Sequence, residues 1–282
     1  MSAAHPVLLS AFRASSLALA ALLTACGGDN TASGVRAPGA SKAPETRALE
    51  AGAALLQDRP PIDALNAYLD GFHFYSGRME AQMEAHHYCA HVNEEVTQCV
   101  LYDGNGRTAQ LVGVEYILTE RLFASLPEAE KPLWHSHVHE VRSGQLIAPG
   151  IPQVAEHALM QKLVGTYGKT WHTWHTASGS TLPVGIPQLM MGFTADGQAD
   201  AAMVAARDER FGVRTSDKRK NREDIPAPPV QQGADAWQHG PALQLGDPVA
   251  VGAGAGAAAS GTAAPPAGPS AKAGKPCKRT IE

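Results

Sequence analysis

The chain predicts a single α+β domain with antiparallel strands and several short helices, set between a disordered N-terminal tether and a disordered C-terminal tail. Three observations predict it. Period-two stretches alternate with period-3.6 stretches across residues 58–248. Asp103-Gly104-Asn105-Gly106 divides two β-like runs, as a hairpin connection does. Ala, Gly, Ser, Thr and Pro dominate residues 26–57 and 249–282, where few side chains could be buried.

Element by element, Asp63–Leu69 after Pro60-Pro61 reads as a short helix with Ile62, Leu65, Tyr68 and Leu69 on one side. Tyr88–Tyr102 reads as β structure with a turn near Asn93–Val96, and Leu111–Leu118 as the strand answering it. Ser125, Pro127 and Glu128 mark a capped helix start, cut short by Pro132. Residues 134–141 read as extended, with a turn at Ser143-Gly144. An amphipathic helix is expected over 152–166, strands over 170–176 and Leu189–Phe193, and an Ala-rich helix over 199–211 ending near Gly212.

The ends carry a localisation signal. Residues 1–25 hold one charged side chain, Arg13, and the apolar run Leu17–Leu23. That run is shorter than the roughly 20 apolar residues a membrane span needs, and suits the core of a signal peptide. Leu23-Thr24-Ala25-Cys26 resembles the lipobox of bacterial lipoproteins. The resemblance implies cleavage before Cys26, diacylglycerol on its sulfur and anchoring in the cell envelope. Gly27, where an Asp would imply inner-membrane retention, points to the outer membrane facing the periplasm. The division expected is therefore signal peptide 1–25, lipidated tether 26–57, globular domain 58–248 and tail 249–282. A net charge of −4 with no basic stripe gives no reason to expect nucleic acid as a partner.

Of 12 histidines, ten lie between His73 and His175, and they fall in tracts. In Glu84-Ala85-His86-His87-Tyr88-Cys89-Ala90-His91, alternation places His87, Cys89 and His91 on one face of a strand; in Trp134-His135-Ser136-His137-Val138-His139-Glu140 it aligns His135, His137 and His139. His172 and His175 form a third tract. Alternating imidazoles can ligate a divalent ion such as Zn, with Glu84, Glu115 or Glu140 as a further ligand or base. The metal-ligand candidates are His86, His87, His135, His137 and His172, with Glu115 and Glu140 as catalytic carboxylates. The other reading makes these histidines core residues packed on Trp134, Trp171 and Trp174. Phosphate-loop, dinucleotide-binding and nucleophile-elbow motifs are missing. Cys89 and Cys99 can oppose each other as a disulfide, remain two buried thiols, or leave Cys89 as a ligand. Cys277 falls in the tail.

The same tracts resemble the oil body-associated protein family, a domain of unknown biochemical activity. The matching residues are Glu84–Cys89 with His91, Asn93 and Glu94, Gln98-Cys99, Tyr102-Asp103, Gly113–Ile117, Leu133–His137 with Glu140-Val141, and Tyr167–Lys169. Leu182-Pro183, Gly185, Pro187, Met190-Met191, Thr194 and Asp196–Gln198 complete the set, over about residues 60–225 in collinear order. Val138 and His139 depart from the pattern. The resemblance implies proximity to lipid and gives no catalytic residue to carry over. Three functions follow as expectations: a lipid-associated, membrane-tethered protein; a metal-dependent hydrolase using His87, His135 and His137 with Glu115 or Glu140; or a structural envelope protein.

Overall fold

The computed structural model describes residues 31–246; the signal peptide, Cys26 and the tail from residue 247 lie outside the described residues. Helix α1 (Pro44–Leu56) and the single turn α2 (Pro60–Asp63) precede strands β1 (Ala67–Tyr75), β2 (Arg78–His91), β3 (Val96–Tyr102) and β4 (Leu111–Thr119). Next come α3 (Glu120–Ala124), a 3-10 turn at Lys131–Leu133, β5 (His135–Ser136), α4 (Val138–Ser143) and α5 (Gln153–Leu163). Strands β6 (Thr166–His172) and β7 (Gln188–Met191) and helices α6 (Ala201–Phe211) and α7 (Thr215–Lys220) follow.

The strands do not form the open sheet of an α+β domain. In the order β4-β3-β2-β1-β7-β6 all neighbours are antiparallel, and β4 then pairs with β6, Gly113 to His172 through Thr119 to Thr166. The result is a closed six-stranded β-barrel, which corrects the α+β expectation. Closure leaves no free edge among these six strands, and β5 extends the ladder on β6 through His135 to Gly168. The helix expected over Asp63–Leu69 stops at Asp63, because Ala67–Tyr75 carries aromatic residues on alternate positions and pairs along β2 from Ala67–Cys89 onward. Ser125 caps the C-terminal end of α3 rather than starting a helix, and the extended reading of 134–141 holds only for β5 before α4 begins.

The expected disordered tether is also corrected where it is described. The Thr31 amide donates to Asn105 Oδ1 at 2.6 Å, and the Ser33 hydroxyl donates to Asp103 Oδ2 at 2.6 Å, so the chain is fixed to the β3–β4 loop. Residues 44–56 are helical: alanine is the strongest helix former, Pro44 suits the first turn, and Glu45 faces the positive end of the dipole.

Register decides which side chains face inward, because cross-strand partners share a face. One ring around the barrel runs Leu69, His87, Leu101, Gly113, His172. The next runs Cys89, Cys99, Glu115, Thr170, Met190, Tyr75. A third runs Thr97, Ile117, Gly168, His135. Cys89 and Cys99 are joined in a disulfide across β2 and β3. Inward apolar residues pack on Val141 of α4 and on Met160 and Leu163 of α5. Outward, Phe72, Phe74, Leu189, Met191 and Phe193 form a second core beneath Met203 and Val204 of α6 and Trp237.

Arg207 fastens α6 to the barrel wall. Fully buried, its Nη1 donates to Asp70 Oδ1 at 3.0 Å and to the Gln145 carbonyl at 2.7 Å, and its Nη2 to Thr215 Oγ1 at 3.1 Å. Arg207→Met fills the space but strands these buried acceptors, so urea unfolding should show a loss of about 3–5 kcal/mol. A loss below about 1 kcal/mol would show that the network is not what secures this face.

Candidate metal centre

Six side chains from four strands and one helix meet inside the barrel. β1 contributes His73, β2 His87, β4 Glu115, β5 His135; His137 is the residue from which α4 starts, and Glu140 lies in its first turn. All six are buried. Three triads, His73/His87/Glu115, His73/His135/Glu140 and Glu115/His135/His137, each bring their ligand atoms within 4.8 Å of one another. Nε2 of His87 stands 2.9 Å from Glu115 Oε2; Nε2 of His137 and of His135 stand 3.3 and 3.5 Å from Glu115 Oε1; Nε2 of His73 is 4.0 Å from Oε2. Tetrahedral ligand atoms bonded at about 2.1 Å lie about 3.4 Å apart, so these separations fit donors arranged around one ion. A cavity of about 10 Å³ among His73, His87, Glu115, His137 and Glu140 has room for a single small occupant.

Two rings are locked in one tautomer. His87 Nδ1 lies 3.0 Å from the Ala85 carbonyl, which only accepts, so Nδ1 carries the proton. His137 Nδ1 lies 2.8 Å from Thr166 Oγ1, whose own proton goes to the Leu163 carbonyl at 2.7 Å, so the hydroxyl accepts from Nδ1–H. With the proton fixed on Nδ1, the nitrogen that each ring turns to the carboxylate is Nε2, and both Nε2 atoms face the same Glu115, so a cation, whether a proton or a metal ion, has to stand between them. Acceptors aimed at acceptors repel unless positive charge lies between them. This is the arrangement by which a carbonyl or hydroxyl orients a metal-bound imidazole from behind.

The electrostatics agree. Burial alone would raise the Glu115 carboxyl, but hydrogen bonds donated by His137 and His87 and positive charge on the facing imidazoles outweigh it and hold it well below the usual carboxylate range, so the site stabilises a carboxylate only with a cation against it. Burial lowers His73 far below the ordinary histidine range, and takes His135 and His172 down to about 3, so these rings are neutral. Burial, then the charges of Glu115 and Asp235, push Glu140 well above the usual carboxylate value. Both nitrogens of His135 and Nδ1 of His73 are buried with no hydrogen-bond partner, which is costly for imidazoles that serve no ligand.

Backbone positions are chosen to leave room. A Cβ on Gly168 would stand 2.1 Å from Glu115 Oε1 and 2.8 Å from His135 Nε2, and one on Gly192 would stand 3.0 Å from the Glu140 carboxyl and from His135 Cδ2.

Of the residues singled out from sequence, His87, Glu115, His135, His137 and Glu140 come together. His172 is inward and its ring lies 5.7 Å from that of His73, but it belongs to none of the triads. His86 does not join: its strand neighbour His87 takes the inward position, so His86 faces outward. There its Nδ1 is 3.1 Å from Asp70 Oδ2 and its Nε2 3.5 Å from Glu84 Oε1. Those carboxylates are also bound by Arg207 and Arg210, which makes a charge network of it. Cys89 is bonded to Cys99 and is no ligand. His73 was missed; its signal is the alternation Phe72-His73-Phe74, a polar residue where a two-sided strand points to a different interior.

Gly168→Ala should push Glu115 and His135 apart and lower affinity for Zn²⁺ at least tenfold, while the far-ultraviolet dichroism stays that of the barrel. Unchanged affinity would show that these two side chains do not share one ion.

The family profile described as "Protein of unknown function (DUF1264)" matches residues 59–226, which contain every residue of the centre. Oil body-associated protein 1A of Zea mays is 43% identical over 194 residues, 69% of this chain and 82% of that protein. Oil body-associated protein 1B of Arabidopsis thaliana is 41% identical over 199 residues, 71% and 83% of the two chains. Oil body-associated protein 2C of Arabidopsis thaliana is 37% identical over 212 residues, 74% and 90%. No solved structure matches. With the profile and these relatives covering most of its length, the chain belongs to the oil body-associated protein family.

Proposed function

We propose that the barrel is a divalent-metal protein, with His73, His87, His135, His137 and Glu115 as the ligand set and Glu140 beside it. The observation that carries this is the fixed Nδ1–H of His87 and His137, which turns both Nε2 atoms onto one buried carboxylate where a cation is needed between them. Imidazole with carboxylate suits Zn²⁺ and its neighbours in the first transition row, whereas Ca²⁺ and Mg²⁺ prefer all-oxygen sites. More imidazoles than a closed structural site needs, together with the buried Glu140 carboxyl beside them, favour a reactive centre. An ion there would lower the pKa of a water bound to it toward neutrality, and Glu140 is placed to hold or deliver a proton. The reaction class that follows is metal-assisted hydrolysis.

Protein purified without chelator should carry close to one metal ion per chain by elemental analysis. Thr166→Val removes the acceptor behind His137, along with the hydroxyl's bond to the Leu163 carbonyl, and should weaken binding by about 10–100-fold. Substoichiometric metal that does not change in a His135→Ala/His137→Ala double variant would end the proposal.

The domain works, in this reading, at a membrane surface. Leu23-Thr24-Ala25-Cys26 supports acylation of Cys26 and retention in the envelope, and two or three acyl chains suffice for stable anchoring. Among the described residues no helix is long and apolar enough to cross a membrane. The relatives' names place those proteins at oil bodies, and a shared closeness to lipid supports the same reading here. In a bacterial host the full chain should partition into the detergent phase of a cloud-point extraction and Cys26→Ala into the aqueous phase. Equal partitioning of the two would remove the tether.

A further inference from the structure

A cavity of about 620 Å³ is bordered by Ser136 and Thr194, by His139 and Arg142 of α4, and by Asp235 and His239 of the segment that follows α7. None of the six residues of the centre lines it, but two of its lining residues lie close to them in the chain. Ser136 stands between His135 and His137, and Thr194 is two residues from Gly192, which packs on Glu140 and His135.

Asp235 is built into one wall of the cavity. Its amide donates to the Trp134 carbonyl at 3.0 Å, and its Oδ1 accepts from the Ser136 amide at 3.1 Å, so it straps β5 from both sides. It is the one non-glycine residue at positive φ among the described residues, with φ 52°. Residues held in that region concentrate at binding and catalytic sites. Its second carboxyl oxygen makes no hydrogen bond among the described residues.

The opposite wall keeps donors in reserve. Arg142 spends Nη1 on the carbonyls of Arg222, Glu223 and Ile225, while its Nε and Nη2 have no partner among the described residues. His139 Nε2 is buried with no hydrogen bond; the nearest acid, Asp196 at 3.9 Å, is already paired with Arg219. A second cavity of about 370 Å³ also reaches His139 and Arg142.

We propose that this cavity is the substrate cleft of the metal centre and takes a small polar molecule bearing an oxyanion, a phosphate or a carboxylate. Arg142 and His139 donate to the oxyanion, and Asp235 accepts from a ligand hydroxyl. This rests on the metal reading, so the test separates the two.

The full chain is loaded with paramagnetic Co²⁺ and titrated with inorganic phosphate, observed by ³¹P relaxation, and with labelled acetate, observed by ¹³C relaxation. At least one should show saturable relaxation enhancement, and the stronger binder names the oxyanion. His139→Ala should raise its Kd roughly tenfold or more, as loss of a charge-assisted hydrogen bond does. Arg142→Lys, which keeps the charge and loses the fork, should weaken it comparably. Because Arg142 also holds the 222–225 turn, His139→Ala decides. Failure of both anions to bind at millimolar concentration, or binding indifferent to His139→Ala, overturns the cleft. If no Co²⁺ is taken up, the metal reading falls, and calorimetric titration of the same chain still tests the cleft through its dependence on His139.

Discussion

A buried carboxylate dominates the interior of this barrel. Glu115 is 2% exposed, and four imidazole Nε2 atoms approach it within 4.0 Å. Burying such a charge is expensive unless it is compensated at close range, and the surrounding architecture is arranged to compensate it. The β4–β6 pairing closes the barrel over it, Gly168 leaves it space, and α4 begins where His137 must stand. The Ala85 carbonyl and the Thr166 hydroxyl then fix which nitrogen each ring turns inward. Pull out the positive partner and these features oppose one another; supply it and each has a purpose.

The molecule handles its second buried polar group differently. On the outer face, Asp70, Glu84 and His86 lie together but are answered by guanidinium groups from α6, Arg207 and Arg210. The chain thus brings its own cations to one cluster of acids and imidazole and brings none to the other. Adjacent residues on β2, His86 and His87, serve the two clusters, separated only by the pleat of the strand.

Much of the centre could be read before the fold was seen, because it lies in tracts. The H-x-H pattern at His135 and His137, with Glu140 three residues on, is local and survives any uncertainty about topology. The choice between His86 and His87 is not local: it depends on register with β1 and β3, and a slip of one residue would exchange them. His73 was hidden by its aromatic neighbours, since β1 is buried on both faces and shows no polar side. Barrel closure was hidden for another reason. It depends on β4 meeting β6 across some fifty residues that contain three helices, and no short-range pattern encodes that pairing. The helix at Pro44–Leu56 was lost to composition: alanine, glycine and threonine read as a flexible linker until their order is weighed.

The central claim is a statement about two protons, and nitrogen-15 spectroscopy of the histidine side chains measures them. In zinc-loaded protein His87 and His137 should both show a protonated Nδ1 and a metal-shifted Nε2, with His86 unaffected by the ion. Protonated Nε2 on both rings, unmoved by zinc, would mean that Glu115 is held by ordinary hydrogen bonds and that the barrel has no metal to serve.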